Sequence, residues 1–432
     1  DGSTVTIGRC GGTVALASGA TQTGFGRSGS VDWETTIKTT NFTAANGEGY
    51  FVNTTSGAVT VTLPSSPSAG DIVAVSDYAN TAGSNNITLG RNGSNIEGSA
   101  ADLVISNSGL AMTVVYADST KGWKVVSAGE AADKTPAPEF VVATGGSITE
   151  SGNFKIHTFT GPGTFTVTCA GNSAGSNTVS YMVVAGGGGG GGNDGGGGAG
   201  GGYRESRAAN DSYTASPLNA TSGPTYNLTV TAQGYPVVVG AGGTQGAATT
   251  DGGAGGVSSV LGISSAGGAG GKAESGQPNV GNNGGSGSGA GAGGGATGSG
   301  GTGNTPPVSP PQGNNGGSSF NPAGPGATPG CRSGGGGGGA GGTGGNADGG
   351  GGDGGGGTTS SINGSPTERS SGAGGGARGP AGGGGNPGGS GAGAGATSGT
   401  AGSGTANTGG GGGGTGEHPG ATPGSGGSGV VI

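Results

Sequence analysis

Tyr181-Met-Val-Val-Ala-Gly186-Gly-Gly-Gly-Gly-Gly-Gly192 decides how this chain is built. A short apolar strand runs directly into seven consecutive glycines. Glycine loses more backbone entropy on ordering than any other residue and has no side chain to bury in exchange. An ordered form therefore needs its backbone groups satisfied by other backbones. The polyproline II conformation has three residues per turn and no internal hydrogen bonds, so its N–H and C=O groups point outward. Only glycine lets such chains approach closely enough to bond to one another, and several antiparallel runs can form a hydrogen-bonded lattice in place of an apolar core. Collagen is excluded, because Gly334–Gly339, Gly354–Gly357 and Gly409–Gly414 carry glycine at every position rather than every third.

The rest of the chain follows from this. Of 432 residues, 123 are Gly and 21 are Pro, and charged residues make up 8%. A helical bundle or coiled coil cannot be written from that alphabet, and no apolar run is long enough to span a membrane. Fourteen basic against 22 acidic residues give a net charge of −8, which disfavours nucleic acid and anionic membranes as partners. Cys10, Cys169 and Cys331 match neither a disulfide framework nor a metal-ligand spacing. The start at Asp1 is read as part of a longer protein.

Both Trp, all eight Tyr and seven of the eight Phe fall within residues 1–240, whereas 80 of the Gly lie beyond. Residues 1–32 are assigned to an N-terminal β or shaft segment. Residues 33–129 read as an all-β module: Tyr50–Asn53 and the alternating Ala58–Leu63 flank Thr54–Gly57, which suits a hairpin turn, and five more short runs follow between Asp71 and Val126. The apolar faces look thin for a free-standing module, which points to burial against copies of itself around a threefold axis. The Pro-containing stretch 130–140 reads as a linker. The glycine-rich domain then covers 141–432, with short strands such as Tyr226–Val230, Pro236–Val239, Val257–Ile263 and Val430–Ile432 returning the chain to a small β base. The non-Gly segments 203–226, 304–332, 358–371 and 416–423 are the natural loop tips.

Few motifs carry chemistry. Gly-x-Gly-x-x-Gly matches are expected by chance at this composition, and Gly271-Lys272-Ala273 lacks the Ser or Thr of a phosphate loop. Asp348 and Asp353 resemble calcium-repeat spacing but lack its aliphatic position. His157 and His418 have no nucleophile or carboxylate at a catalytic spacing, and no carboxylates cluster in the sequence, which disfavours glycan hydrolysis. No cofactor or metal is expected. Aromatic and Arg residues dominate binding hot spots, which singles out Phe320 and Arg332 within the Pro-rich segment 304–332, then Ile362 and Arg369, and His418 beside Glu417. Tyr203 and Arg204 are expected to anchor the preceding glycine run.

Phe159-Thr-Gly-Pro-Gly-Thr-Phe165-Thr-Val, Tyr181-Met-Val-Val-Ala-Gly-Gly-Gly, Gly-Ala-Gly-Gly-Gly-Tyr203-Arg, Val238-Val-Gly-Ala-Gly-Gly243 and Gly427-Ser-Gly-Val-Val-Ile432 together resemble the glycine-rich domain of bacteriophage tail fibres. The style is similar to the receptor-binding adhesins at the fibre tips of T-even-type phages. Ala45-Asn-Gly-Glu-Gly-Tyr-Phe-Val-Asn-Thr54 and Arg91-Asn-Gly-Ser-Asn-Ile-Glu-Gly98 look like β modules of marine phage tail fibres. The resemblance implies an all-β homotrimer in a virion, joined to other tail proteins. Loops between packed polyglycine helices would bind a host surface glycan or outer-membrane protein without catalysis or membrane insertion. The alternative is a self-assembling extracellular filament. An ice-binding protein would need flatter, more regular faces than the Pro, Arg and aromatic interruptions leave.

Overall fold

The computed structural model describes residues 31–128, 137–172, 174–274, 279–293, 296–322, 331–378 and 383–432. All but the last two residues of the expected segment 1–32, and most of the expected linker 130–140, lie outside them. Every regular element among the described residues is a strand. The chain divides into two compact units, Asp1–Ala137 and Pro138–Ile432.

In the first unit, β1 (Asp32–Lys38), β2 (Phe42–Thr43), β3 (Glu48–Val52), β4 (Val59–Thr62), β5 (Ile72–Asp77) and β6 (Ile87–Gly90) alternate between two sheets. β1, β3 and β5 pair in parallel in one sheet, and β2, β4 and β6 in parallel in the other. The chain thus coils round a shared interior before β7 (Leu103–Ile105), β8 (Ala111–Asp118) and β9 (Gly122–Ser127) close the sheets in antiparallel fashion. This corrects the hairpin expected at Thr54–Gly57. That turn is a corner between β3 and β4, which lie in different sheets, because each buries its apolar side in the interior between them. Eighteen apolar residues form one core there, including Val52, Val61, Leu63, Ile87, Leu89, Ile105 and Trp123. The unit is therefore not short of apolar surface to bury. Asp77 sits in this interior at 4% exposure, where burial raises its pKa but the amides of Gly109 and Ala82 outweigh it and hold the carboxylate ionised.

The second unit begins with strand Val141–Thr144, paired to Gly163–Ala170 and through it to Gly234–Val237. Its centre is Tyr181–Val184, flanked by Tyr203–Ser206 and by Val430–Val431. The C-terminal residues thus close the base: Ile432 exchanges both backbone bonds with Met182. Val257–Ile263 is not one strand. Leu261 and Gly262 take left-handed φ values of 53° and 76°, turning Ser258–Val260 back onto Ile263–Ser265. Two apolar clusters lie at this base, one around Phe159, Tyr181, Val183 and Ile263, the other around Met182, Val184, Tyr203 and Ile362. His157 is half-buried, with Nδ1 2.8 Å from the Gly145 carbonyl and its ring edge-on to Phe165.

Beyond the base the interior is backbone. Gly186 and Gly189 donate to the carbonyls of Gly256 and Gly253, Gly187 and Gly190 to Gly427 and Gly424, and Gly188 and Gly191 to Ala199 and Gly196, all at 2.9–3.0 Å. The carbonyls of the same six residues accept, again in pairs three apart, from Gly268 and Gly271, Gly243 and Gly246, and Gly412 and Thr415. One run therefore contacts six neighbouring segments, and every third residue faces the same one. The runs 196–202 and 334–340 repeat this period of three. At most positions the spacing leaves no room for a side chain: a Cβ on Gly190 would lie 2.0 Å from the Gly413 carbonyl oxygen, although single methyls such as that of Ala199 are accommodated.

Candidate functional site

The run 186–192 leaves the basal strand Tyr181–Val184, and 195–202 returns into Tyr203–Ser206, so Asn193 and Asp194 mark the end of the lattice remote from the base. Both residues take left-handed φ, 43° and 46°, to make the reversal. The register places other turns at the same end. Gly334 donates to Gly376, Gly376 to Gly195, Thr415 to Gly191, and Glu274 to Asn193. Five charged side chains, each at the distal terminus of a different glycine run, consequently converge: Asp194, Glu274, Arg332, Arg378 and Glu417.

Their geometry is that of a compact network. Arg332 pairs with Glu274 and Arg378 with Glu417. Asp194 has no exposed surface; its Oδ1 accepts the Glu417 amide at 3.1 Å, while Oδ2 has no hydrogen-bond partner and lies 3.9 Å from Arg378 Nη1. Carboxylate oxygens of Asp194, Glu274 and Glu417 all lie within 4.8 Å of one another. Burial first, and the Glu274 charge second, push the Asp194 carboxyl up to about 7, against the opposing pull of Arg378 and Arg332. The clustered carboxylates missing from the linear sequence are thus present in space. Asp194 is buried, Glu274 is half-buried and Glu417 is exposed, and each glutamate is paired with an arginine. Lys272, paired with Asp251 at 3.0 Å, borders the cap.

Of the residues singled out by sequence, Phe320, Arg332 and His418 are brought to this end. Phe320 is half-buried, and its amide bonds the Ser333 carbonyl beside Arg332 at 2.8 Å. His418 is exposed next to Glu417. Ile362 and Arg369 lie instead at the base, 7% and 5% exposed, so the expectation that they present a contact surface is corrected. Ile362 fills the apolar cluster around Tyr203, and Arg369 Nη1 lies 4.0 Å from Met182 Sδ, where burial lowers its pKa. The segment 304–332 is likewise not a single loop. Gln312 bonds Ala266 and Tyr203 at the basal end, Gly316 and Gly317 belong to the lattice, and Phe320, Asn321 and Arg332 lie towards the cap. Pro311 lines an open basal groove of about 470 Å³ with Pro217, Leu218 and Thr359.

Asp194 and Glu274 were not legible as site residues, although each ends a glycine run, and a charge at that position is the one signal that marks them. Residue pairs such as Asp194 and Glu417 are 223 positions apart. The anchoring role of Tyr203 is seen in its strand, and Arg204 beside it is 8% exposed. Cys169 and Cys331 are free thiols, and Cys10 lies outside the described residues.

A glycine-rich domain family matches residues 158–432. The chain belongs to that family. The matched span begins at the last residue of the strand Phe154–Thr158 and includes the glycine runs and the cap. No curated protein matches the chain at a significant level.

Proposed function

We propose that this chain is the distal part of a bacteriophage tail fibre, a non-enzymatic adhesin that holds the virion to its host through the cap of the glycine lattice. In this reading the period-three runs are polyglycine II helices, and seven residues at about 3.1 Å each carry the cap roughly 20 Å from the base. The convergence of Arg332, Arg378, Glu417, His418 and Phe320 at one end supports it. That set mixes guanidinium, carboxylate, imidazole and aromatic groups, which recognise sugar hydroxyls and protein hot spots alike. The receptor is a host surface glycan or outer-membrane protein, and the remaining partners are other virion tail proteins.

Assembly as a homotrimer belongs to the same proposal. Its support is the exposure of four apolar side chains at the start of the second unit, Phe140, Val142, Ile148 and Phe154, 62%, 52%, 47% and 38% exposed. Thinness of the first unit's core does not support it, since that core is complete. Three tips on one fibre raise weak single-site affinity through effective concentration.

The experiment is light scattering on the purified chain, then binding of labelled protein to intact candidate host cells, comparing the native chain with a Phe320→Ala/His418→Ala variant and with Asn363→Ala at the base. A trimer of the 38.9 kDa chain whose cell binding drops about tenfold in the distal variant alone supports the adhesin. An open-ended polymer with no affinity for cells transfers the reading to the filament.

A further inference from the structure

We infer that the distal cap holds a divalent metal cation of the calcium type, bound by the carboxylates of Asp194, Glu274 and Glu417. This does not depend on what the tip adheres to. Three carboxylate oxygens within 4.8 Å of one another form an oxygen cage of the size a hard cation spans at about 2.3–2.6 Å per ligand. They are held by three separate runs of a lattice in which each backbone is fixed by its neighbours, so the cage is preformed.

One buried side chain outside the acidic cluster, Asn279, also points to a ligand. Within the cluster, Asp194 has no exposed surface, yet its Oδ2 makes no hydrogen bond and lies 3.9 Å from Arg378 Nη1. Asn279 is 1% exposed, and neither its amide oxygen nor its amide nitrogen has a partner. The Cβ position at Gly293 is 2.6 Å from Asn279 Nδ2 and 3.6 Å from Glu274 Oε1, which puts that amide beside the Glu274 carboxylate; turned over end for end, it offers the cation its oxygen. Buried polar atoms without partners are rare and call for a specific cause. When Asp194 ionises, three acids face two guanidinium groups, one negative charge in excess.

Arg378 is the competitor. Its guanidinium reaches both Asp194 and Glu417 and is 37% exposed, so it covers the way in and occupies part of the cation's charge role. The cation binds as Arg378 swings towards solvent. Lattice glycines, which offer no side-chain ligands, and Lys272, which is engaged by Asp251, leave the cage otherwise undisturbed.

Isothermal titration of the full chain with calcium chloride, and separately with magnesium chloride, tests this at neutral pH after chelator treatment. One calcium site per chain is expected, with Kd in the range of about 10⁻⁵ to 10⁻³ M. Asp194→Asn and Glu417→Gln should each weaken it at least tenfold; Glu417→Gln lies on the exposed turn and guards against loss of folding, which circular dichroism checks. Arg378→Gln should tighten calcium several-fold. A chain that takes up neither calcium nor magnesium at millimolar concentration overturns the inference. Calcium uptake unchanged by Asp194→Asn and Glu417→Gln, or weakened by Arg378→Gln, overturns it equally.

Discussion

The amide of Gly190 donates to the carbonyl of Gly424 at 2.9 Å, three residues after Gly187 makes the same bond to Gly427. Those two bonds contain the logic of the second unit. A sheet would alternate partners every second residue; a period of three distributes donors over three directions and builds outward without side chains. In such an interior the missing Cβ is the packing principle, and the net gain per hydrogen bond, about 1 kcal/mol, accumulates over many bonds.

Replacing one lattice glycine should consequently be far worse than replacing a glycine elsewhere. Gly190→Ala drives a methyl to 2.0 Å from the Gly413 oxygen, whereas a Cβ on Gly161 meets no atom within 4 Å. Thermal melts should show Gly190→Ala losing about 3 kcal/mol or more, and Gly161→Ala unchanged or stabilised by up to about 1 kcal/mol. Equal effects of the two would remove the close-packing argument.

The cap should make stability fall as pH rises. Asp194 has its carboxyl raised to about 7 in the folded chain, above its ordinary 3.8, with Glu274, Glu417, Arg332 and Arg378 facing it. Between those values the folded state holds a proton that the unfolded state has released. This contribution is fully present below pH 3.8 and is lost as pH passes 7, with an upper bound on the order of 4 kcal/mol. Melting temperatures in the absence of divalent cations should drop from pH 5 to pH 8 in the native chain, and Asp194→Asn should flatten that slope. A native slope that survives in Asp194→Asn assigns it to other groups.

At the opposite end, Glu205 is 1% exposed and accepts from Tyr203 Oη at 2.8 Å, the Ser216 amide at 3.0 Å and Ser360 Oγ at 2.6 Å. Burial, then the Glu205 charge, raise the Tyr203 pKa, so the phenol stays a donor. Glu205→Ala strands three donors and leaves Arg369 without a nearby buried carboxylate, and should cost about 3–5 kcal/mol in denaturant unfolding. A loss below about 1 kcal/mol would show that the network is dispensable.

What the sequence reveals here follows from the range over which each signal acts. Runs of glycine, alternating strands such as Val59–Thr62, and the anchor at Tyr203 are local and were legible. The parallel coil of β1 to β6 was not, because apolar alternation in Tyr50–Leu63 has the same period whether the next strand folds back or crosses to a second sheet. Ile362 and Arg369 look like a loop tip by composition, yet the tip folds onto Tyr203 and Met182. Phe320, Arg332 and His418 were identifiable by residue type, whereas their partners Asp194 and Glu274 come from runs whose register no local pattern specifies.

Amide hydrogen exchange across residues 186–202, read by mass spectrometry on the intact chain, bears most directly on the claim that backbone-to-backbone bonding forms this interior and fixes the cap. The structure predicts protection of Gly186–Gly191 and Gly195–Gly202 comparable to the strand Tyr181–Val184, lost only on global unfolding. Exchange of those glycines at rates of a free loop, with Tyr181–Val184 still protected, would contradict it.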